Sequence, residues 1–139
     1  MYKAIKYFII CLLLVAPATF AQERTKEEME QEKKFRESLD QLIEKYETDF
    51  KLEGWQVFYV DSILTHDFTA LTEEIKAMGR SKVENPDLYQ AVRDKWSEQM
   101  YNSLHRVFDE QQWSKYLKGG AAKEKKARDK RKEKREQSL

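Results

Sequence analysis

The sequence predicts a single all-α domain of three long antiparallel helices and a short fourth helix, followed by a charged C-terminal extension. Three observations carry that reading. Only 4 Gly and 2 Pro occur in 139 residues, 37% of which are charged, a composition that suits long solvated helices and nearly excludes a turn-rich sandwich or barrel. Apolar residues recur at spacings of three and four over three long stretches, which is the period of a helix face. The only paired glycines, Gly119-Gly120, fit neither GxGxxG nor GxxxxGK[ST], so a dinucleotide-binding fold or a P-loop is disfavoured. The balance of 26 Lys+Arg against 25 Asp+Glu also argues against a dedicated nucleic-acid binder.

Residues 1–21 read as an export signal. Lys3 and Lys6 form a basic start, Tyr7 to Ala16 a mostly apolar run, and Pro17-Ala18-Thr19-Phe20-Ala21 a small-residue exit before Gln22. A helix needs roughly 20 apolar residues to span a bilayer, and this run reaches about half of that. Cleavage after Ala21, giving a periplasmic or secreted protein, is therefore the expectation. Cys11 follows Phe8-Ile9-Ile10 in the middle of the run, unlike a lipoprotein cysteine, and cleavage removes this only cysteine. Stability then rests on packing without a disulfide.

Residues 22–34 are almost wholly charged, with Met29 the only apolar residue from Glu23 to Lys34, and read as a solvated helical extension or a disordered one. The helical domain is placed at 35–118. Its first helix carries Phe35, Leu39, Leu42, Ile43, Tyr46 and Phe50 on one stripe. The second, from about Gly54 to Met78, has a core stripe of Val57, Val60, Leu64, Phe68, Leu71, Ile75 and Met78. Roughly opposite lie Trp55, Tyr59, Ile63, His66 and Ala70, with Phe58 to one side. A helix that is apolar on both faces must be covered twice or must bind something.

The third helix opens at Asn85-Pro86-Asp87, where Asn caps, Pro suits the first helical position and Asp complements the positive helix start. Leu88, Val92, Trp96, Met100, Leu104, Val107 and Phe108 continue its stripe, with Tyr101 outside it. A short fourth helix, Glu110 to Lys118, ends at the Gly119-Gly120 stop or hinge. The connectors Lys51–Glu53 and Arg80–Glu84 are too short for anything but antiparallel neighbours. A single layer of such helices leaves apolar stripes uncovered, so a dimer closed through the first and third stripes is expected.

Leu52-Glu53-Gly54-Trp55-Gln56 at the start of the second helix is echoed by Phe108-Asp109-Glu110-Gln111-Gln112 at the start of the fourth. Each has an apolar residue, a polar cap and Gln at the third helical position, where Gln can reach back to the cap's backbone N–H. Asp109 is a good cap and Glu53 a weaker one. This pair, with Trp113-Ser114-Lys115-Tyr116 following the second copy, resembles the doubled LTxxQ motif of the Spy/CpxP-like periplasmic family. The resemblance covers roughly Phe35 to Tyr116. It implies a cradle-shaped helical dimer and activity as an ATP-independent chaperone or as an envelope-stress or metal-stress adaptor. Carried over with it are Leu52, Gln56, Phe108 and Gln112, in structural roles.

Other signals point away from catalysis. His66 and His105 form no HxxxH or HxH pair with which to start a zinc site. Neighbouring carboxylates such as Glu73-Glu74 diverge by about 100° on a helix and make no acid/base pair. Ser62 and Ser103 lack a nucleophile elbow. No enzyme activity, cofactor or metal is expected. The tail, residues 119–139, carries 9 basic and 4 acidic residues without an apolar stripe, so it is not expected to dock as a core helix. It suits solubilisation, an anionic membrane surface or an acidic client. The functional expectation is a binder of partly unfolded polypeptide through Trp55, Tyr59 and Ile63. The alternative is a structural envelope protein whose stripes only close an oligomer.

Overall fold

The computed structural model describes residues 25–138, so the signal segment and Cys11 lie outside the described residues. Within them the chain is all-helical, without a strand: α1 is Lys26–Phe50, α2 Gly54–Arg80, α3 Pro86–Val107, α4 Glu110–Tyr116 and α5 Ala122–Gln137. The chain divides into two compact units between Lys34 and Phe35. In the first, Thr25 Oγ1 accepts the Glu28 N–H at 3.2 Å while the Glu28 carboxylate accepts the Thr25 N–H at 2.9 Å. This reciprocal cap fixes a helix start on a stretch with no buried side chain. The charged extension therefore has helical structure as far as it is described.

In the second unit, α2 and α3 form the tightest pair. Gln56 bonds to Val107, Asp67 to Gln99 and Glu74 to Trp96, a descending register that makes the two helices antiparallel. The buried core is Leu39, Leu52, Val60, Leu64, Met100, Leu104 and Phe108, drawn from the predicted stripes and both motif copies. By contrast, α1 meets this hairpin through the long side chains of Phe35, Leu42, Ile43, Tyr46 and Phe50, with few close backbone approaches.

The connectors close by left-handed residues where glycine is the usual choice. Lys51 and Lys82 have φ of 51° and 53°. The N–H groups of Leu52 and Val83 reach back to the Glu47 and Met78 carbonyls, at 3.1 Å in each case, which is the Schellman arrangement. At the start of α3, Asn85 Oδ1 accepts the Asp87 N–H at 2.9 Å with Pro86 at the first helical position, as the sequence predicts. Leu88, predicted on the core stripe, is half exposed instead. Its neighbour Tyr89 takes the inward place, donating its hydroxyl to the Val83 carbonyl at 2.8 Å.

After α4 the backbone widens through a π-type turn, Leu117–Ala121, kinked at Gly120 with φ 121°, a conformation that glycine alone adopts without strain. The charged tail then returns as α5 and docks antiparallel on α3. No residue of it joins the apolar core, yet it is more than a solvated extension. It carries no apolar stripe, but Arg128, Arg131 and Arg135 share one face and supply guanidinium forks. Arg128 bonds Glu98 at 3.1 Å, and Arg131 and Arg135 reach Asp94 at 2.7 and 3.0 Å. Asp94 and Arg128 are both buried, a setting in which such pairs survive because each charge meets several donors or acceptors. Burial, the largest single influence, pushes the Asp94 carboxyl up, but bonds from Arg131, Gln90 and Arg135 outweigh it and hold the carboxyl below its ordinary value.

Candidate functional site

The two motif copies meet. Gln56 and Gln112, the third residues of α2 and α4, are 3% and 8% exposed and exchange two hydrogen bonds. Gln56 Nε2 donates to Gln112 Oε1 at 2.7 Å, and Gln112 Nε2 donates to Gln56 Oε1 at 3.0 Å. Each Oε1 also accepts the N–H of its own cap, Glu53 at 2.9 Å and Asp109 at 3.0 Å. The second proton on Gln56 Nε2 goes to the Val107 carbonyl at 2.9 Å. The Asp109 carboxylate completes its box by accepting the Gln112 N–H at 2.8 Å. Two helix starts are thus sealed and joined by one buried amide pair, with Leu52 and Phe108 packed in the core beside it.

Phe108 continues into an aromatic cluster. Phe50, Tyr46 and Tyr116 surround it at centroid distances of 5.3, 6.4 and 5.7 Å. Trp113 lies between Tyr101 and His105, stacked on the imidazole at 4.2 Å. Tyr101 therefore belongs to a ring cluster despite lying off the α3 stripe, and Arg128 covers its face at 5.5 Å. Burial raises the Tyr46 hydroxyl well above the usual phenol range, with the neighbouring Tyr116 adding to it, and burial likewise raises Tyr116 above its ordinary value.

On the outer side of the first turns of α2 stands an exposed aromatic ridge. Trp55, Phe58 and Tyr59 are 53%, 69% and 51% exposed. Their rings are mutually ordered, Tyr59 lying 6.2 Å from Trp55 and 5.6 Å from Phe58, both edge-on. The Trp55 indole N–H donates to the Glu53 carboxylate at 2.7 Å. Glu53, the weaker cap by sequence, thus holds its indole neighbour in place as well. Because α2 is fixed by the glutamine pair one turn away, the ridge stands on a rigid base.

Of the residues expected on this face, Trp55 and Tyr59 lie on the ridge and Ile63 does not. Ile63 is half-buried against the core. At about 100° per residue it sits roughly 80° round the helix from Trp55, toward Val60, while Phe58 sits roughly 60° the other way, on the side away from Val60. Phe58 is the residue that this arithmetic adds to the face. His66 Nδ1 lies 2.8 Å from Oδ1 of the buried Asp67, which also accepts from Gln99 Nε2 at 2.8 Å, while Asp67 Oδ2 has no hydrogen-bond partner among the described residues. His105 is committed to its stack on Trp113. Among the described residues no group of three or more His, Cys, Asp or Glu is placed to hold a metal ion, and no helix is long and apolar enough to cross a membrane. No family model, curated protein or solved structure matches the chain.

Proposed function

We propose that the protein is an exported, ATP-independent chaperone or envelope-stress adaptor that holds partly unfolded polypeptide on the Trp55/Phe58/Tyr59 ridge without catalysing a reaction. The observation that carries this reading is the ridge itself: three ordered, solvent-facing aromatic rings beside a buried cap structure. Tryptophan and tyrosine offer large contact area with few rotatable bonds, so they hold varied sequences without a fixed pocket. Release without nucleotide requires weak binding, and micromolar affinity corresponds to about 8 kcal/mol. The resemblance to the Spy/CpxP-like family, carried by the two motif copies, points to the same class of activity.

Export after Ala21 and a homodimer belong to the proposal. Intact mass of envelope material beginning at Gln22 is the expected result for the first. Leu39, Met100 and Leu104 are buried within one protomer, so a dimer interface uses other residues, and sedimentation at tens of micromolar tests for it. An anionic membrane surface is assigned to the outer face of α5, where Lys126, Lys130 and Lys134 are exposed on the side away from the arginines. Each such cation near an anionic leaflet contributes about 1 kcal/mol.

The test is suppression of aggregation of a thermally unfolding client, without nucleotide, by the protein and by a Trp55→Ser/Phe58→Ser/Tyr59→Ser variant. Loss of protection at unchanged thermal unfolding supports the ridge. Full protection by the correctly folded variant refutes it and favours the alternative of a purely structural helical assembly.

A further inference from the structure

Helical interiors close to crystal-like density, yet α1, α3 and α5 leave a half-open groove of about 900 Å³ between them. It exists because α1 leans on the hairpin through long side chains and α5 docks through charges, so no apolar stripe fills the seam. Leu42, Leu64, Phe68, Met100 and Leu104 form its floor. Arg93, Lys115 and Lys123 line it as well, and none of these three has an ion-pair partner among the described residues. Of the carboxylates on its walls, Asp49 is matched by Lys45 and Asp94 by Arg131, which leaves Glu124 alone to offset one of these three cations. The groove is therefore apolar below and carries uncompensated positive charge at its edge.

We propose that this groove binds a single-chain anionic amphiphile, its acyl chain along the floor and its headgroup at Lys115 and Lys123. The lining runs along α3 from Gln90 to Leu104, about 20 Å at about 1.5 Å per residue. One acyl chain spans half of a roughly 30 Å hydrocarbon core, so it fits that length. A partner helix about 10 Å across and of the same length fills about 1,600 Å³, more than the groove offers. The volume lies within the range of about 300–1,000 Å³ typical of small-molecule sites. The proposal is independent of the ridge, which lies on the other side of α2.

The test is equilibrium dialysis of the purified protein, as it accumulates in the cell, against palmitate and against lysophosphatidylglycerol, each below its micelle concentration. Saturable binding of either, one per protomer, is expected, and the tighter of the two identifies the headgroup source. Hexadecanol, which lacks the charge, is expected to bind at least about fivefold more weakly, and a Lys115→Ala/Lys123→Ala variant to lose about fivefold for the anion. Both lysines are exposed, so the variant is expected to fold, which its unchanged circular dichroism verifies. Absence of saturable binding, equal binding of hexadecanol, or indifference of the variant overturns the proposal. A dimer that excludes palmitate also overturns it, by making a second copy the occupant.

Discussion

Removing the two glutamines of the buried pair is expected to have unequal effects, and the inequality follows from the hydrogen bonds left behind. In Gln112→Ala, Gln56 Nε2 keeps the Val107 carbonyl and Gln56 Oε1 keeps the Glu53 N–H, so no atom of Gln56 is stranded. The loss is the two mutual bonds plus the Asp109 N–H contact, about 3 kcal/mol at a net worth of about 1 kcal/mol per hydrogen bond. In Gln56→Ala, Gln112 Nε2 loses Gln56 Oε1 while 8% exposed, and the Val107 carbonyl loses its side-chain donor. A stranded buried amide adds about 1–3 kcal/mol, so this variant is expected to lose about 4–6 kcal/mol. The double variant closes the cycle with a coupling of about 1–2 kcal/mol, the range for residues in one network. Urea unfolding followed by circular dichroism and tryptophan fluorescence reads all four proteins. A coupling near zero, or a larger loss for Gln112→Ala, refutes the assignment of the clasp.

Leu104, 1% exposed, is expected to lose about 3–5 kcal/mol on replacement by Ala, and half-buried Leu42 less, by the same unfolding measurement. Lys51→Gly is expected to stabilise by about 0.5–1 kcal/mol, because it relieves a left-handed φ; destabilisation would show that the Lys51 side chain contributes more than its backbone strain removes. Tyr46 and Tyr116 keep their protons above the ordinary phenol range when folded. Their contribution to stability is therefore complete below that range and lost as pH rises through it, so an absorbance titration should show both ionising only with alkaline unfolding. The Asp94 carboxyl is held below its ordinary value, so its contribution is present above the ordinary carboxylate pKa and lost as pH falls through the depressed one. Hydrogen exchange should show α5 docked at mildly acidic pH and released in stronger acid, and Asp94→Asn should abolish that acid step.

Much of this fold is legible in the sequence because its signals are local. The caps at Asn85 and Asp109, the three long apolar stripes and the glycine kink each depend on residues within a turn of one another. The joining of the two motif copies is not local, but the sequence holds its logic. A glutamine at the third helical position spends its oxygen on its own cap and keeps a spare donor, and two such residues can satisfy each other. The ridge was partly legible. Trp55, Tyr59 and Ile63 all follow from the helical wheel, but Ile63 lies at the edge of that arc nearest Val60 and packs against the core. Phe58 was visible on the same wheel. The ionic docking of the tail is not legible by a rule that equates docking with an apolar stripe. Its sequence nonetheless separates Arg128, Arg131 and Arg135 on one face from Lys126, Lys130 and Lys134 on the other.

That separation follows from the chemistry of the two cations. A guanidinium presents a planar fork that satisfies a buried carboxylate at two points and is weakly hydrated, whereas an ammonium is a compact, strongly hydrated point charge. Arginine therefore occupies the face that leaves water to meet Asp94 and Glu98, and lysine the face that stays in it. The second unit is consequently built with two kinds of joint. At the glutamine end, neutral amides and apolar rings fix α2 and α4 in a manner that ionic strength hardly touches. Along α3, charged forks hold α5 in contacts that acid weakens. The ridge stands on the first joint and one wall of the groove on the second. The surface proposed for polypeptide is thereby kept rigid, while the wall of the groove proposed for an anionic ligand is held by contacts that a competing anion can share.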